Sequence, residues 1–248
     1  MSTFGTGRSA AARAANAERR KASAGAVDQG LRRHMLGVYN RMSLGIALTG
    51  LIAGFSASSS DVMALVFGTP LQWVVLVALF VIPLVLGARL ASMSLAAANA
   101  TFWGYVALMG VALAPVMLAY DGDLLAVAFA VTSAAFAGLS LYGYTTGRNL
   151  DAVGSFLVMG MIGVCAAGLV NLFIHSSAIL FVTSCAGVLV FAGMTAWDTQ
   201  KVRDLYDACE GDERAKASIV GALILYLDFI NLFLYLLRLL AMLRSMAK

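Results

Sequence analysis

Charge is scarce in this chain. Asp, Glu, Lys and Arg together make up 12% of its 248 residues, about half the share typical of a soluble domain. So few charges exclude an ordinary water-soluble globule. They equally exclude disorder, which needs low hydrophobicity and high charge. Cysteine is scarce too. Cys165, Cys185 and Cys209 are too few and too scattered for a disulfide framework or a Cys-based metal site. The two histidines, His34 and His175, fall at opposite ends of the topology and form no metal set. No phosphate-cradling glycine loop, nucleophile–base constellation or zinc spacing occurs, so nothing in the motifs points to an enzyme or a bound cofactor. What remains is apolar. Hydrophobic residues make up 61% of the chain and the mean hydropathy is +0.87. At a length that fits one domain, this is the composition of an all-α, multi-pass membrane protein.

A transmembrane helix needs about 20 mostly apolar residues. Residues 1–33 fail that test, since they carry Arg8, Arg13, Arg19, Arg20, Lys21, Arg32 and Arg33 against Glu18 and Asp28. They read as a flexible basic arm, and 34–248 as the transmembrane domain. The arm is too long to be the leader of a secretory signal. Its expected partner is an anionic membrane surface rather than nucleic acid. Seven candidate spans follow, at roughly 36–57, 72–91, 100–119, 124–144, 153–174, 177–198 and 217–240. The breaks are short, for example Gly68-Thr69-Pro70, Asp121-Gly122-Asp123 and Gly147-Arg148-Asn149, and they suit an antiparallel bundle. Small residues four apart (Gly50 with Gly54, Ala100 with Gly104, Gly110 with Ala114, Gly163 with Ala167) let helices approach closely.

The basic residues set the orientation. With a cytoplasmic N-terminus, every Lys and Arg lies inside except Arg238, Arg244 and Lys248, while Asp61, Asp121 and Asp123 lie outside. Those three cations would also lie inside if the last segment entered and returned without crossing. The alternative architecture is therefore six spans plus a re-entrant C-terminal segment. Seven is favoured because 24 residues is a full crossing length.

Ionisable residues inside a bilayer are expensive and usually have a partner or a task. Asp228 lies well inside the last span, and Asp198 closes the sixth. Asp228, Asn231, Tyr235 and Arg238 are spaced 3, 4 and 3 and share one helix face. Arg238 is ten residues from Asp228, about 15 Å along the axis, so a partner must come from another helix. Asp198 is the best candidate. The two meet only if the sixth helix continues past Asp198, with Lys201 and Arg203 reaching the headgroups. Asp204, Asp207, Glu210, Asp212 and Glu213 would then form a solvated turn. Paired carboxylates cannot both ionise cheaply and titrate as a unit. They can share a proton, or bind a hard cation such as Ca²⁺ through oxygen. The plainer alternative is a helix cap at Asp198 and a hydrogen-bonded Asp228. Arg89, at the end of the second span, reads either as a snorkelling anchor or as a latch on a carboxylate. Asn171 is polar in an apolar run and should bond to another helix.

The run Tyr226-Leu227-Asp228-Phe229-Ile230-Asn231-Leu232-Phe233 resembles the C-terminal signature of the Bax inhibitor/YccA family, also called the transmembrane Bax inhibitor motif family. Asp198-Thr199-Gln200 resembles that family's aspartate at the end of the sixth helix. Gly168 to Phe173 and Pro115 fit it as well. The resemblance covers about 36–240 and leaves out the basic arm. It implies seven helices with the last near the centre, and a pH-sensitive Ca²⁺ leak sensed by paired aspartates. Those aspartates are Asp198 and Asp228 here. It also implies an arginine on the second helix that bonds an aspartate in the closed state, with Arg89 the nearest match. The expected partners are thus calcium and protons, with a bacterial inner membrane as the default compartment. The rival expectation is a non-conducting regulator of a membrane-anchored protease, working through the arm and the segment from Lys201 to Lys216.

Overall fold

A computed structural model describes the backbone of residues 5–247 and the side chains of residues 29–247. The elements are α1 (Gly5–Ser58), α2 (Ser60–Phe67), α3 (Leu71–Arg89), α4 (Leu95–Ala112), α5 (Ala114–Ala119), α6 (Gly122–Thr145), α7 (Asp151–Ile174), α8 (Ser177–Ala208) and α9 (Gly211–Met246), with a 3₁₀ turn at Leu90–Ser92. No strand occurs among the described residues. Seven segments are long and apolar enough to cross a membrane: Gln29–Ser58, Leu71–Ser92, Leu95–Ala119, Gly122–Thr145, Asp151–Ile174, Ser177–Ala208 and Gly211–Met246. The first helix already includes Leu31, Arg32 and Arg33. The side chains of most of the basic arm lie outside the described residues.

Local chemistry sets the breaks. Ser59, Ser94 and Ser176 cap α2, α4 and α8 by accepting from a backbone N–H three residues on, the role for which short hydroxyl side chains are selected. Pro115 sits in the first turn of α5, where its missing N–H costs nothing, so the third span is two helices in series. Pro83 lies inside α3 and cannot donate to the carbonyl four residues back. That carbonyl, of Leu79, instead accepts the Tyr105 hydroxyl from α4 at 3.3 Å.

Helix α9 lies at the centre. It packs on α8, α1, α6, α4 and α3, and 61% of its most apolar window is buried, against 11% for α3 and α7. The last pair therefore forms the lipid-facing rim, with Trp73, Phe80, Leu84, Phe156 and Phe173 exposed. Lipid tails are as apolar as leucine, so close packing rather than hydrophobic transfer holds such a bundle together. Around α9 that packing is aromatic. Phe129 and Phe136 meet Phe229 edge to face, and Phe102 and Tyr105 meet Tyr226 the same way. The Tyr226 hydroxyl is satisfied by Thr49 of α1 at 2.7 Å.

The favoured seven spans hold over the re-entrant alternative, and three of the four small-residue pairings need correction. The last segment is one unbroken 36-residue helix with no hairpin for a re-entrant path. Arg244 near its end pairs with Asp121 at the start of α6 (3.2 Å), which puts the C-terminus at the face opposite Arg203 and Arg148. Of the small-residue pairs, only Gly110 with Ala114 makes a close contact. Added side chains at Gly50, Gly54, Gly104 and Gly163 would meet open space, whereas Gly110 lies against Ile52 and the Thr49 backbone of α1. Other tight approaches, at positions outside these pairs, include Gly143 against the Ala196 backbone and Gly154 against the Trp197 ring.

Candidate functional site

Asp198 sits on a stretch of α8 that is fixed on nearly every side. Gly143 of α6 admits the Ala196 backbone, and Gly154 of α7 admits the Trp197 indole. The indole N–H donates to Asp151 Oδ1 at 3.0 Å, and the Lys201 ammonium lies 3.4 Å above the same ring, a cation–π contact. Thr199 is fully buried and joins a hydroxyl chain in which Tyr39 of α1 meets Ser140 of α6 at 2.6 Å and Ser140 meets Thr199 at 3.0 Å. Gln200 bridges the α6–α7 connection. Its Oε1 accepts from the Leu150 N–H and its Nε2 donates to the Arg148 carbonyl, both at 2.9 Å. One turn on, Arg203 donates to the Tyr144 and Thr146 carbonyls, closing the C-terminus of α6 as a cation should. Asp198, in the middle of this stretch, is itself buried.

Asp228 lies on α9. Helices α8 and α9 form the most extensive helix–helix contact in the molecule, and the two carboxylates lie within coulombic range of each other. Asp198 is 6% exposed and Asp228 4%, so both are shut away from bulk water. Asp228 Oδ2 is buried with no hydrogen-bond partner among the described residues. A buried polar atom left unpaired costs free energy that natural cores rarely carry without reason. The meeting depends on the two-residue connection Cys209-Glu210. The charged residues from Lys201 to Lys216 are not the long loop that their composition suggests. They continue both helices beyond the apolar region, because helix hydrogen bonds are local and tolerate charge once water is at hand.

The other expected residues are placed differently. Arg89 is exposed at the end of α3 and pairs with no carboxylate among the described residues. No latch is formed in this conformation. Asn231 donates to its own helix at the Leu227 carbonyl, and Tyr235 stacks on Phe191. Asn171 accepts from the Ser176 N–H at 2.9 Å, fixing the α7–α8 turn at the far end of the bundle from the aspartates. No three His, Cys, Asp or Glu side chains cluster among the described residues. Two carboxylates fall short of the six to eight oxygens that Ca²⁺ takes. A passing cation would need backbone carbonyls and water as well. Neither carboxylate lines the cavity of about 660 Å³ between α1 and α6. That cavity is walled by Tyr39, Ser140 and Phe229 and stops at the hydroxyl chain.

The sequence reading missed Tyr39, Ser140 and the bridging role of Gln200. The polar run Asp198-Thr199-Gln200 at the end of an apolar span was the available signal for Gln200. Tyr39 and Ser140 gave none, since hydroxyls on transmembrane helices usually bond within their own turn.

Residues 31–245 match the family described as "Inhibitor of apoptosis-promoting Bax1". The chain belongs to the Bax inhibitor family. Among family relatives, an uncharacterized protein of Rickettsia prowazekii is 45% identical over 85% of this chain and 90% of its own length. One from Caulobacter vibrioides is 43% identical over 85% and 89%. The inner membrane protein YbhL of Escherichia coli is 39% identical over 84% and 91%. The family match spans all seven apolar helices and both aspartates. It makes this chain a multi-pass membrane protein.

Proposed function

We propose that this Bax inhibitor family protein is a pH-gated calcium leak of a bacterial inner membrane, with Asp198 and Asp228 as the sensor. The observation that carries the reading is the juxtaposition of two buried carboxylates with Asp228 Oδ2 unpartnered. A proton held between them removes the like-charge repulsion and keeps α8 and α9 together. Its loss leaves two adjacent anions in a low-dielectric core. The helices then separate, water enters, and the negative pair draws cations from either side. The Arg-rich end, with Arg89, Arg148, Arg203 and the N-terminus, faces the cytoplasm by the positive-inside rule. Arg89 is a latch only in a state where α3 moves toward α8. In this reading the task of the two aspartates is to gate permeation.

The test is ⁴⁵Ca²⁺ flux into proteoliposomes across roughly pH 5 to 9. Wild-type flux should rise with pH. Asp198→Asn and Asp228→Asn should each flatten the profile. A wild-type pH profile retained in both variants would remove the sensor assignment.

A second reading rests on the tip of the α8–α9 hairpin, where Asp204, Asp207, Glu210, Asp212 and Glu213 are all exposed. An acidic knob of this kind suits a basic partner surface, such as one on a membrane-anchored protease. Flux no greater than that of empty liposomes, together with capture of a partner that is lost on neutralising the tip, would favour this reading.

A further inference from the structure

A second cavity of about 660 Å³ lies at the end of the bundle away from the aspartates, between α3, α7 and the lower part of α9. Its walls differ along its length. At the membrane boundary it is polar, with the His175-Ser176-Ser177 turn and the start of α8. Toward the membrane interior it is apolar, with Phe80, Val164 and Leu169. Of its lining residues, Phe80, Leu169 and Leu172 are more than half exposed, so the cavity opens sideways to the bilayer rather than to water. Cys165, at its inner end, is nine residues from Ile174, about 14 Å deeper along α7. The shape is that of an amphiphile: a polar mouth, a greasy shaft, and a volume within the range of small-ligand sites.

One charge faces it. Arg238 lines the cavity, lies 5.6 Å over the Tyr235 ring, and has no carboxylate within ion-pair distance among the described residues. An arginine inside the membrane region without an acidic partner is stabilised by an anion at its guanidinium, and guanidinium is the side chain best matched to phosphate oxygens. We propose that this cavity holds one glycerophospholipid of the leaflet on the Asp121 side. Its phosphodiester sits on Arg238 and one acyl chain runs inward past Leu169 toward Cys165. The site is independent of the aspartate pair and of whether the protein conducts ions.

Native mass spectrometry of the purified protein in a nonionic detergent, titrated with phosphatidylglycerol, tests this. Two competitors separate the sources of affinity: diacylglycerol with the same chains, and inorganic phosphate. We expect one retained phosphatidylglycerol that neither competitor displaces. Arg238→Gln should weaken it roughly tenfold, the worth of one charge-assisted hydrogen bond, and Arg238→Lys should weaken it less. Gly168 lines the cavity and has open space beside it, so Gly168→Leu should block the shaft and weaken binding without touching the charge. Arg244→Gln, in an exposed pair, should bind as wild type does. Unchanged binding in both Arg238→Gln and Gly168→Leu overturns the site. Equal displacement by inorganic phosphate overturns the lipid as its occupant.

Discussion

Replacing Gln200 by Met tests whether the residues around Asp198 hold the bundle as described. Methionine is unbranched and of similar length, so it fills the same space, and Gln200 is only 5% exposed. What is lost is the bridge to the α6–α7 connection, two bonds of 2.9 Å each to the Leu150 N–H and the Arg148 carbonyl. Each bond contributes about 0.5–1.5 kcal/mol net, and a donor or acceptor left dry adds about 1–3 kcal/mol. Leu150 and Arg148 border water at the membrane surface, so part of that penalty is relieved by hydration. The expected destabilisation is therefore about 2–3 kcal/mol. Unfolding in maltoside micelles titrated with dodecyl sulfate, followed by tryptophan fluorescence, reads it directly. A loss below about 0.5 kcal/mol, within the spread of ordinary surface substitutions, refutes the claim that Gln200 ties α8 to its neighbours.

Three further outcomes follow from the packing. Gly154→Val drives a side chain into the Trp197 ring and should abolish folded protein in size-exclusion profiles. Gly50→Ala meets open space and should raise stability by up to about 1 kcal/mol through helix propensity. Arg244→Gln breaks a pair whose side chains are 45% and 77% exposed, so it should change unfolding by less than about 1 kcal/mol. In right-side-out vesicles a membrane-impermeant maleimide should label Ala247→Cys and spare the native Cys209, and in inverted vesicles the reverse. Labelling of both from one side would contradict seven full crossings.

The seven crossings were legible because apolar length is a strong signal, and Asp228 was legible because a carboxylate amid Leu and Phe is too costly to be accidental. The ends of α8 and α9 were not legible. Hydropathy falls at Lys201 although the helix runs on to Ala208, because hydropathy reports the solvent and not the backbone. The Tyr39–Ser140 bond joins residues 101 positions apart, and no local pattern announces such a contact. Three of the four small-residue spacings misled for a related reason, Gly110 with Ala114 being the exception. A glycine on a helix face shows that close approach is possible but not which neighbour makes it, and the real approaches at Gly143 and Gly154 were visible only once Ala196 and Trp197 stood opposite them.

The connection between α8 and α9 is two residues long, and Asp198 lies ten residues before α8 ends, about 15 Å along its axis. That geometry is a stiff lever. It has no slack segment to absorb a push at its acidic tip, and its fulcrum is where Gln200 and Arg203 grip the α6–α7 connection. A load applied at Asp207 or Asp212 is therefore carried along the two helices toward Asp198 and Asp228 instead of being absorbed in the connection.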